Sequence, residues 1–387
     1  MTVNTETLAD LGVANERQIA LRLRKSLYGL KQSGRLWALH LRKTLLKLGF
    51  EQCYTDSCAV YVDDLLVTGT SVANVDKFFE DMKVLDVKDL GRVSKFLGTG
   101  IVYDELHGYM LNQRQAILEL LERFGLADAN AVRVLVVDDK NEGDDSALLP
   151  DANGTPSRPL VQLFQSLVGG LLWIARCTRP DIVFAVHRVT RRAHAPRESD
   201  WRNAKRIMRY LKGTIDVKLR LEIDASSVRG AEVRLEGYSD ADYAADRVDR
   251  KSVSGGVLCI DGMVVGWFCK KQNSVALPTM EAEFVAASQV ASELLGLSEL
   301  LGELGVVVHE PILMHVDNQA AIKQLEGEDS SGKAKHIDVR VKFVKDFVQK
   351  GVIVVEYCES RKMRADLMTK SFPAPRLGEL RELVSLE

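Results

Sequence analysis

The sequence predicts a multidomain protein of mixed α and β structure, and three observations support that class. Its 387 residues exceed the length of one ordinary domain. With 46% hydrophobic and 27% charged residues, the composition is typical of a globular chain rather than a disordered one. From about residue 230, three consecutive strand patterns are followed by alternating helix and strand patterns, which predicts a mixed sheet with flanking helices.

The first third of the chain predicts an α+β unit. Residues 34–48 repeat apolar side chains at helical spacing and stop at Gly49, which suits the C-terminal cap of a helix. The stretch YVDDLLVTG predicts a hairpin with Asp63 and Asp64 at its turn. Further along we predict an amphipathic helix over 73–87, two strands over 95–113, and a helix over 113–125 closed by Gly125.

The middle of the chain predicts a linker and then three helices. Residues 138–159 combine acidic residues with Pro, Gly, Asn and Ser and show no periodicity, as linkers do. The three helices are predicted over 166–177, over 180–193 with Pro180 in its first turn, and over 199–213 between a Ser199 cap and Gly213. The resulting domains are 1–137, a linker over 138–159, a basic helical region over 160–228, a sheet domain over 229–372 and a tail over 373–387.

Four carboxylates in the last third are predicted to converge on one edge of the sheet. Asp240 lies in a predicted strand, Glu283 in the first turns of a long helix, Asp317 at a strand end and Asp366 at the start of the last helix. Unpaired carboxylates repel, and two Mg²⁺ ions about 4 Å apart would relieve that repulsion. Alternatively, each acid is merely a strand-end or helix-cap residue. Glu281 competes with Glu283 as the helical ligand, but the two are separated by about 200° around the helix.

Six motifs in this region resemble the ribonuclease H domain of copia-type LTR retrotransposons, in order and with similar spacing. They are GYSDADYA, RKSVSGGV, KKQNSVALPTMEAEFVA, HVDNQAAI, KHIDVR and RADLMTK, between about residues 231 and 370. The resemblance implies that Asp240, Glu283, Asp317 and Asp366 correspond to the four metal-binding acids of that family. It also implies two Mg²⁺ or Mn²⁺ ions and cleavage of the RNA strand of an RNA–DNA hybrid, leaving a 3′ hydroxyl.

Upstream segments extend the resemblance over nearly all of residues 20–370. SLVGGLLWIARCTRPDIVFAV and AKRIMRYLKGT resemble the region that links polymerase to ribonuclease H. KSLYGLKQSGRLW, YVDDLLVTG, KFLGTGI and LLERFG resemble the palm of the copia-type reverse transcriptase and its C-terminal extension. The implied chain is the C-terminal part of a Pol polyprotein. Its fold is a partial polymerase palm and helical connection, followed by a ribonuclease H-like mixed five-stranded sheet with flanking helices.

In the family, the two acids matching Asp63 and Asp64 hold Mg²⁺ against the incoming nucleotide and the primer end. A further metal-binding acid lies on a palm strand well upstream of SLYGLKQ, and MTVNTETLADLGVANERQI does not resemble that strand. We therefore expect the polymerase half to be inactive in this chain. The hydrolytic chemistry is expected from the ribonuclease H half.

A basic helix in the middle region is a candidate nucleic-acid contact. Residues 176–220 contain 13 Lys and Arg against 4 Asp and Glu, a net charge of +9. A subset recurs at three- and four-residue spacing and could neutralise phosphates along one face: Arg202, Lys205, Arg206, Arg209 and Lys212. A plain solvated helix face is the equal alternative. We expect Trp201 and Tyr210 to pack in the core. His336, in KHID, matches the copia-type pattern and is assigned either a structural role or a contact with the substrate.

Composition bounds the partners and the location. No apolar run is long enough to span a bilayer and the N-terminus lacks a signal pattern, so no membrane partner and an intracellular location, cytoplasmic or nuclear, are expected. Six scattered cysteines predict reduced thiols and no structural zinc. The expected partners are an RNA–DNA hybrid and a complementing full-length Pol chain. Two alternatives stay open: a decayed or co-opted element that binds hybrid without cutting it, and a non-functional gene fragment with exposed apolar surface.

Overall fold

The computed structural model describes residues 33–50, 65–69, 71–85, 87–105, 108–135, 146–150, 159–222, 232–246, 248–326 and 343–387. By its internal contacts the chain divides into two compact units, Met1–Gly91 and Arg92–Glu387. Three of the predicted site residues lie outside the described residues: Asp63, Asp64 and His336. Most of the predicted linker over 138–159 lies outside them as well.

The first unit contains two packed helices. Helix α1 (Ser33–Lys47) and helix α2 (Val72–Met82), which continues into a 3₁₀ turn (Lys83–Leu85), bury Leu41 and Met82 between them. Gly49 has a φ of +88°, so the predicted cap after α1 is confirmed. Residues 65–69 carry no regular structure, so the strand predicted after Asp64 is wrong over those residues. A strand needs a neighbour, and the described part of this unit has none.

The second unit begins with a small antiparallel sheet and four helices. The strands lie side by side in chain order: β1 (Lys95–Phe96), β2 (Thr99–Asp104), β3 (Gly108–Asn112) and β4 (Leu219–Leu221). The helices are α3 (Arg114–Arg123), α4 (Val161–Cys177), α5 (Val183–Thr190), preceded by a 3₁₀ turn (Pro180–Ile182), and α6 (Glu198–Gly213). The cap predicted at Ser199 is wrong. The N-cap residue is Arg197, two positions earlier, because the Asp200 carboxylate accepts a hydrogen bond from the Arg197 backbone N–H at 2.8 Å.

A mixed five-stranded sheet with flanking helices forms the rest of the second unit, as predicted. Its strands are β5 (Glu232–Asp242), β6 (Val253–Ile260), β7 (Met263–Lys271), β8 (Val307–Val316) and β9 (Ile353–Tyr357), in the spatial order β7-β6-β5-β8-β9. The first three are antiparallel, whereas β8 and β9 run parallel to β5. The helices are α7 (Thr279–Glu303), α8 (Gln319–Glu326), helical residues 343–349, α9 (Asp366–Thr369) and α10 (Ala374–Leu383).

Helix α7 packs along one face of the sheet. Its residues Phe284, Ala287, Val290 and Leu294 recur on one side of the helix and are buried with apolar residues of the strands. By length and composition alone this helix could cross a membrane, contrary to the expectation that no apolar run is long enough. Ten of its residues are buried inside the protein, which is the pattern of a core helix.

The other face of the sheet is covered by the helices of the middle region and the C-terminal residues. One continuous apolar core extends from Ile117 in α3 to Leu386. The indole N–H of Trp267 on β7 donates to the Ala175 carbonyl at 2.9 Å and joins the sheet to α4. Tyr210 is buried, as predicted, and its hydroxyl donates to Asp181 at 2.7 Å. The middle helices and the large sheet therefore share a single core.

Candidate metal centre

The four predicted acids are placed by elements that meet at one edge of the large sheet. Asp240 lies near the C-terminal end of β5, and Asp317 directly follows β8. These two strands run parallel, with Ser239 paired with Val316, so both acids reach the same edge. Glu283 lies on the second turn of α7, which packs on β5, and Asp366 is the first residue of α9.

Three of these carboxylates converge. One oxygen from each of Asp240, Glu283 and Asp317 lies within 4.8 Å of the others. Asp240 and Glu283 are buried, with 1% and 5% of their surface exposed, whereas Asp317 is half-buried. The cluster is thus open to solvent on the Asp317 side.

The fourth acid joins the cluster through a lysine. Lys370 Nζ lies 3.0 Å from Asp240 Oδ1 and 2.5 Å from Asp366 Oδ1. The Thr369 hydroxyl donates to the other Asp240 oxygen, Oδ2. Sequence reasoning gave no role to Thr369 or Lys370. The signal for Lys370 was its spacing, because it directly follows α9 and lies four positions after Asp366, about one helical turn along the chain.

Burial and repulsion by neighbouring carboxylates disfavour the charged forms of Glu283, Asp317 and Asp366. Burial, followed by the Asp240 and Asp317 charges, raises the pKa of Glu283 to about 9. Burial and Asp240 raise the pKa of Asp317 to about 6, and the same two causes raise the pKa of Asp366. Burial alone would lower the pKa of Lys370, but Asp240 and Asp366 outweigh it and raise that pKa. Additional positive charge at this edge would stabilise the carboxylates in their ionised state.

The donor set fits a hard divalent cation. Mg²⁺ and Mn²⁺ prefer oxygen ligands, and carboxylates are their usual protein ligands. Glu283 Oε2 is buried and has no hydrogen-bond partner among the residues that the structure describes, while the Ala241 backbone N–H bonds to the same carboxylate. A buried oxygen without a partner is costly, and coordination to a cation removes that cost. Asp240, Glu283 and Asp317 are therefore the residues that could hold the ion.

The two candidate glutamates of α7 have different surroundings. Glu281 Oε2 accepts a hydrogen bond from the Leu277 backbone N–H at 2.9 Å, at the start of the helix. Glu283, two residues later, points into the carboxylate cluster. The structure thus separates the alternatives that the sequence left open, and it places Glu283 with the other acids.

The basic helix α6 is partly committed to the fold. Arg206 Nε donates to the Val134 carbonyl at 2.9 Å, and Arg209 Nε donates to the Asn130 carbonyl at 2.6 Å. Lys205 Nζ lies 5.2 Å from the Trp201 ring centroid, and that ring packs against Phe124 at 6.3 Å between centroids, so core packing of Trp201 is confirmed. Arg202 is exposed and Lys212 half-buried. Phosphate binding by this helix stays a prediction, as do the roles of Asp63, Asp64 and His336.

Comparisons with known proteins cover almost the whole chain. Residues 9–138 match the family described as reverse transcriptase (RNA-dependent DNA polymerase). The retrovirus-related Pol polyprotein from transposon TNT 1-94 of Nicotiana tabacum is 31% identical over 97% of this chain and 29% of its own length. The transposon Ty5-1 protein of Saccharomyces cerevisiae is 30% identical over 73% of this chain and 93% of its own length.

Among solved structures, the foamy viral protease-reverse transcriptase in complex with RNA/DNA hybrid is 13% identical. The match covers 86% of this chain and 39% of the foamy viral chain, with a TM-score of 0.47. The chain spans less than a third of the tobacco Pol polyprotein. It matches the yeast protein over nearly that protein's full length, and the plant and yeast relatives are both products of copia-type transposons. The chain belongs to the Pol polyprotein family of copia-type retrotransposons.

Proposed function

We propose that this chain hydrolyses the RNA strand of RNA–DNA hybrids with Mg²⁺ or Mn²⁺ bound at the edge of the large sheet. The observation that carries the proposal is the convergence of Asp240, Glu283 and Asp317 within 4.8 Å, together with a buried Glu283 oxygen that has no hydrogen-bond partner among the described residues. The six ribonuclease H motifs in the same region support the choice of substrate. Asp366, linked to Asp240 through Lys370, completes the predicted set of four acids.

The three clustered acids have defined roles in this proposal. When bound, two divalent ions would supply an activated water and stabilise the leaving oxygen of the phosphodiester. Asp240, which belongs to the cluster and also pairs with Lys370, would hold metal beside Asp366 as well as beside Glu283 and Asp317. Glu283 and Asp317 would complete the ligand set on the side of α7 and β8. The depth of Asp240 and Glu283 restricts the approach of solvent, whereas half-buried Asp317 leaves one side open to a nucleic-acid backbone.

Hybrid binding is proposed to use the basic face of α6. Arg202 is exposed and Lys212 is half-buried on that face, whereas the side chains of Arg206 and Arg209 are each held by a hydrogen bond to a backbone carbonyl and keep their charge. Such contacts neutralise phosphates without reading sequence, so binding is expected to weaken steeply with salt. A double change of Arg202 and Lys212 to glutamine should lower hybrid affinity and flatten its salt dependence.

The test is a cleavage assay with the full chain. RNA–DNA hybrid, duplex RNA and duplex DNA of one sequence are incubated with Mg²⁺, with Mn²⁺ and with chelator. The proposal expects cleavage of the hybrid RNA strand alone, only with metal, and its loss in Asp240→Asn. Wild-type protein that binds hybrid equally well in chelator and never cuts it would instead support the non-catalytic alternative.

A further inference from the structure

Lys370 occupies the Asp240–Asp366 half of the carboxylate site. Its Nζ lies within hydrogen-bond distance of both carboxylates, 3.0 Å from Asp240 Oδ1 and 2.5 Å from Asp366 Oδ1. Both acids are buried, with 1% and 5% of their surface exposed, whereas 38% of the Lys370 side chain is exposed. The ammonium group therefore lies at the mouth of the site with its two partners beneath it.

In the part of the chain that the structure describes, no cation pairs with the other half of the site, Glu283 and Asp317. Glu283 Oε2 lacks a hydrogen-bond partner among the described residues, and Glu283 and Asp317 form no ion pair within that part of the chain. Asp240 belongs to both halves, because one of its oxygens accepts from Lys370 and the other from Thr369. Each carboxylate oxygen retains a second lone pair, so Asp240 can still bind a metal ion together with Glu283 and Asp317.

We propose that Lys370 is a built-in competitor of the second divalent ion, so that one ion binds readily at Asp240–Glu283–Asp317 and a second binds only by displacing this ammonium. The inference rests on the proposed metal-dependent function and specifies how its two ions load. Displacement is sterically open, because the lysine stem is flexible and more than a third of the side chain already meets solvent. The second ion is thereby held below full occupancy at metal concentrations that fill the first.

The proposal is tested by titrating the full chain with Mn²⁺ alone, followed by calorimetry and by the electron spin resonance of free Mn²⁺. Lys370→Met removes the competitor, and Lys370→Gln provides a second variant with a polar side chain. Lys350→Met is the matched control. Lys350 also pairs with an aspartate four positions earlier, Asp346 at 2.6 Å, but both side chains of that pair are more than half exposed.

We expect two unequal affinities in the wild type. In both Lys370 variants the affinity for the second ion should tighten about tenfold, which corresponds to the lower end of what a hydrogen bond to a charged group contributes. Lys350→Met should leave both affinities unchanged. Second-ion affinities in the Lys370 variants that equal or fall below the wild-type value would overturn the proposal. The titration contains no hybrid and therefore measures metal binding alone. A chain that fails to cleave hybrid would contradict the proposed function, but it would not change the result of this titration.

Discussion

The hydroxyl of Thr369 donates a hydrogen bond to the Asp240 carboxylate, although the two residues lie 129 positions apart in the chain. Thr369 is fully buried and Asp240 nearly so, and the bond fixes the orientation of a carboxylate that both halves of the candidate metal centre share. The short helix after the last strand thus positions the central acid of the site. That helix therefore contributes Thr369 to the site as well as Asp366.

Thr369→Val keeps the shape of the side chain and removes the donor. Loss of a hydrogen bond to a ligating carboxylate is expected to lower metal affinity and hybrid cleavage about tenfold or more. Thr369→Ser, which keeps the hydroxyl, should restore most of both. Mn²⁺ calorimetry and cleavage rates provide the two readings, and unchanged Mn²⁺ affinity in the valine variant would contradict the positioning role.

The raised pKa of Glu283 predicts that the metal-free protein loses stability as the pH rises. The folded protein retains the Glu283 proton up to a pH of about 9, whereas the unfolded chain releases it near 4.5. Between those values the folded state binds more protons, so this group lowers the free energy of unfolding progressively with pH. Thermal unfolding in chelator should therefore show a steeper fall of Tm from pH 5 to 9 in the wild type than in Glu283→Gln. Identical slopes would show that the burial of Glu283 does not act in this way.

Gly255 on β6 is expected to be intolerant of any side chain, because α9 lies directly over it. An added Cβ would lie 2.6 Å from Thr369 Cγ2 and 2.7 Å from Met368 Cβ. Gly255→Ala should destabilise the protein by about 1–3 kcal/mol and reduce cleavage, since α9 must shift. The control is Gly296→Ala on α7, where no atom lies within 4 Å, and which should stabilise by about 0.5–1 kcal/mol. Denaturant unfolding measures both, and equal stability of the two variants would contradict the packing.

Asp181 is predicted to be essential for folding and separate from the chemistry. It pairs with Arg179 at 2.7 Å, with both side chains almost fully buried, and it also accepts from the Tyr210 hydroxyl. Asp181→Ala leaves a buried guanidinium without its partner, at a cost of about 3–5 kcal/mol. Asp216→Ala breaks the exposed pair with Arg114 and should cost about 0–1 kcal/mol. Similar unfolding midpoints for the two variants would contradict this contrast.

The sequence predicted the carboxylate site better than it predicted the environment of that site. The motifs that contain the four acids occur in a fixed order along the chain: Asp240, Glu283, Asp317 and Asp366. Parallel strands bring their own C-terminal ends to one edge of a sheet, so the convergence of the acids could be inferred from the predicted topology. The contact between Thr369 and Asp240 could not, because it depends on how closely α9 packs on β6, which local patterns do not encode. The spacing of Arg206 and Arg209 was compatible with either a phosphate-binding face or a plain solvated face. Periodicity cannot reveal that Arg206 donates to the carbonyl of residue 134 and Arg209 to that of residue 130. Ser199 was placed at the cap for its residue type, whereas the Asp200 side chain determined where α6 begins.

A metal-dependent hydrolytic centre at Asp240, Glu283 and Asp317 is best examined by comparing Glu283→Gln with Glu281→Gln. The two variants make the same chemical change two residues apart on one helix, but only Glu283 points into the cluster. The measurement is the rate of hybrid cleavage by the full chain in saturating Mg²⁺ and Mn²⁺. We expect Glu283→Gln to lower the rate by about 100-fold or more and Glu281→Gln to stay within about threefold of the wild type. Equal rates in the two variants, or a larger loss in Glu281→Gln, would be incompatible with a catalytic centre that contains Glu283.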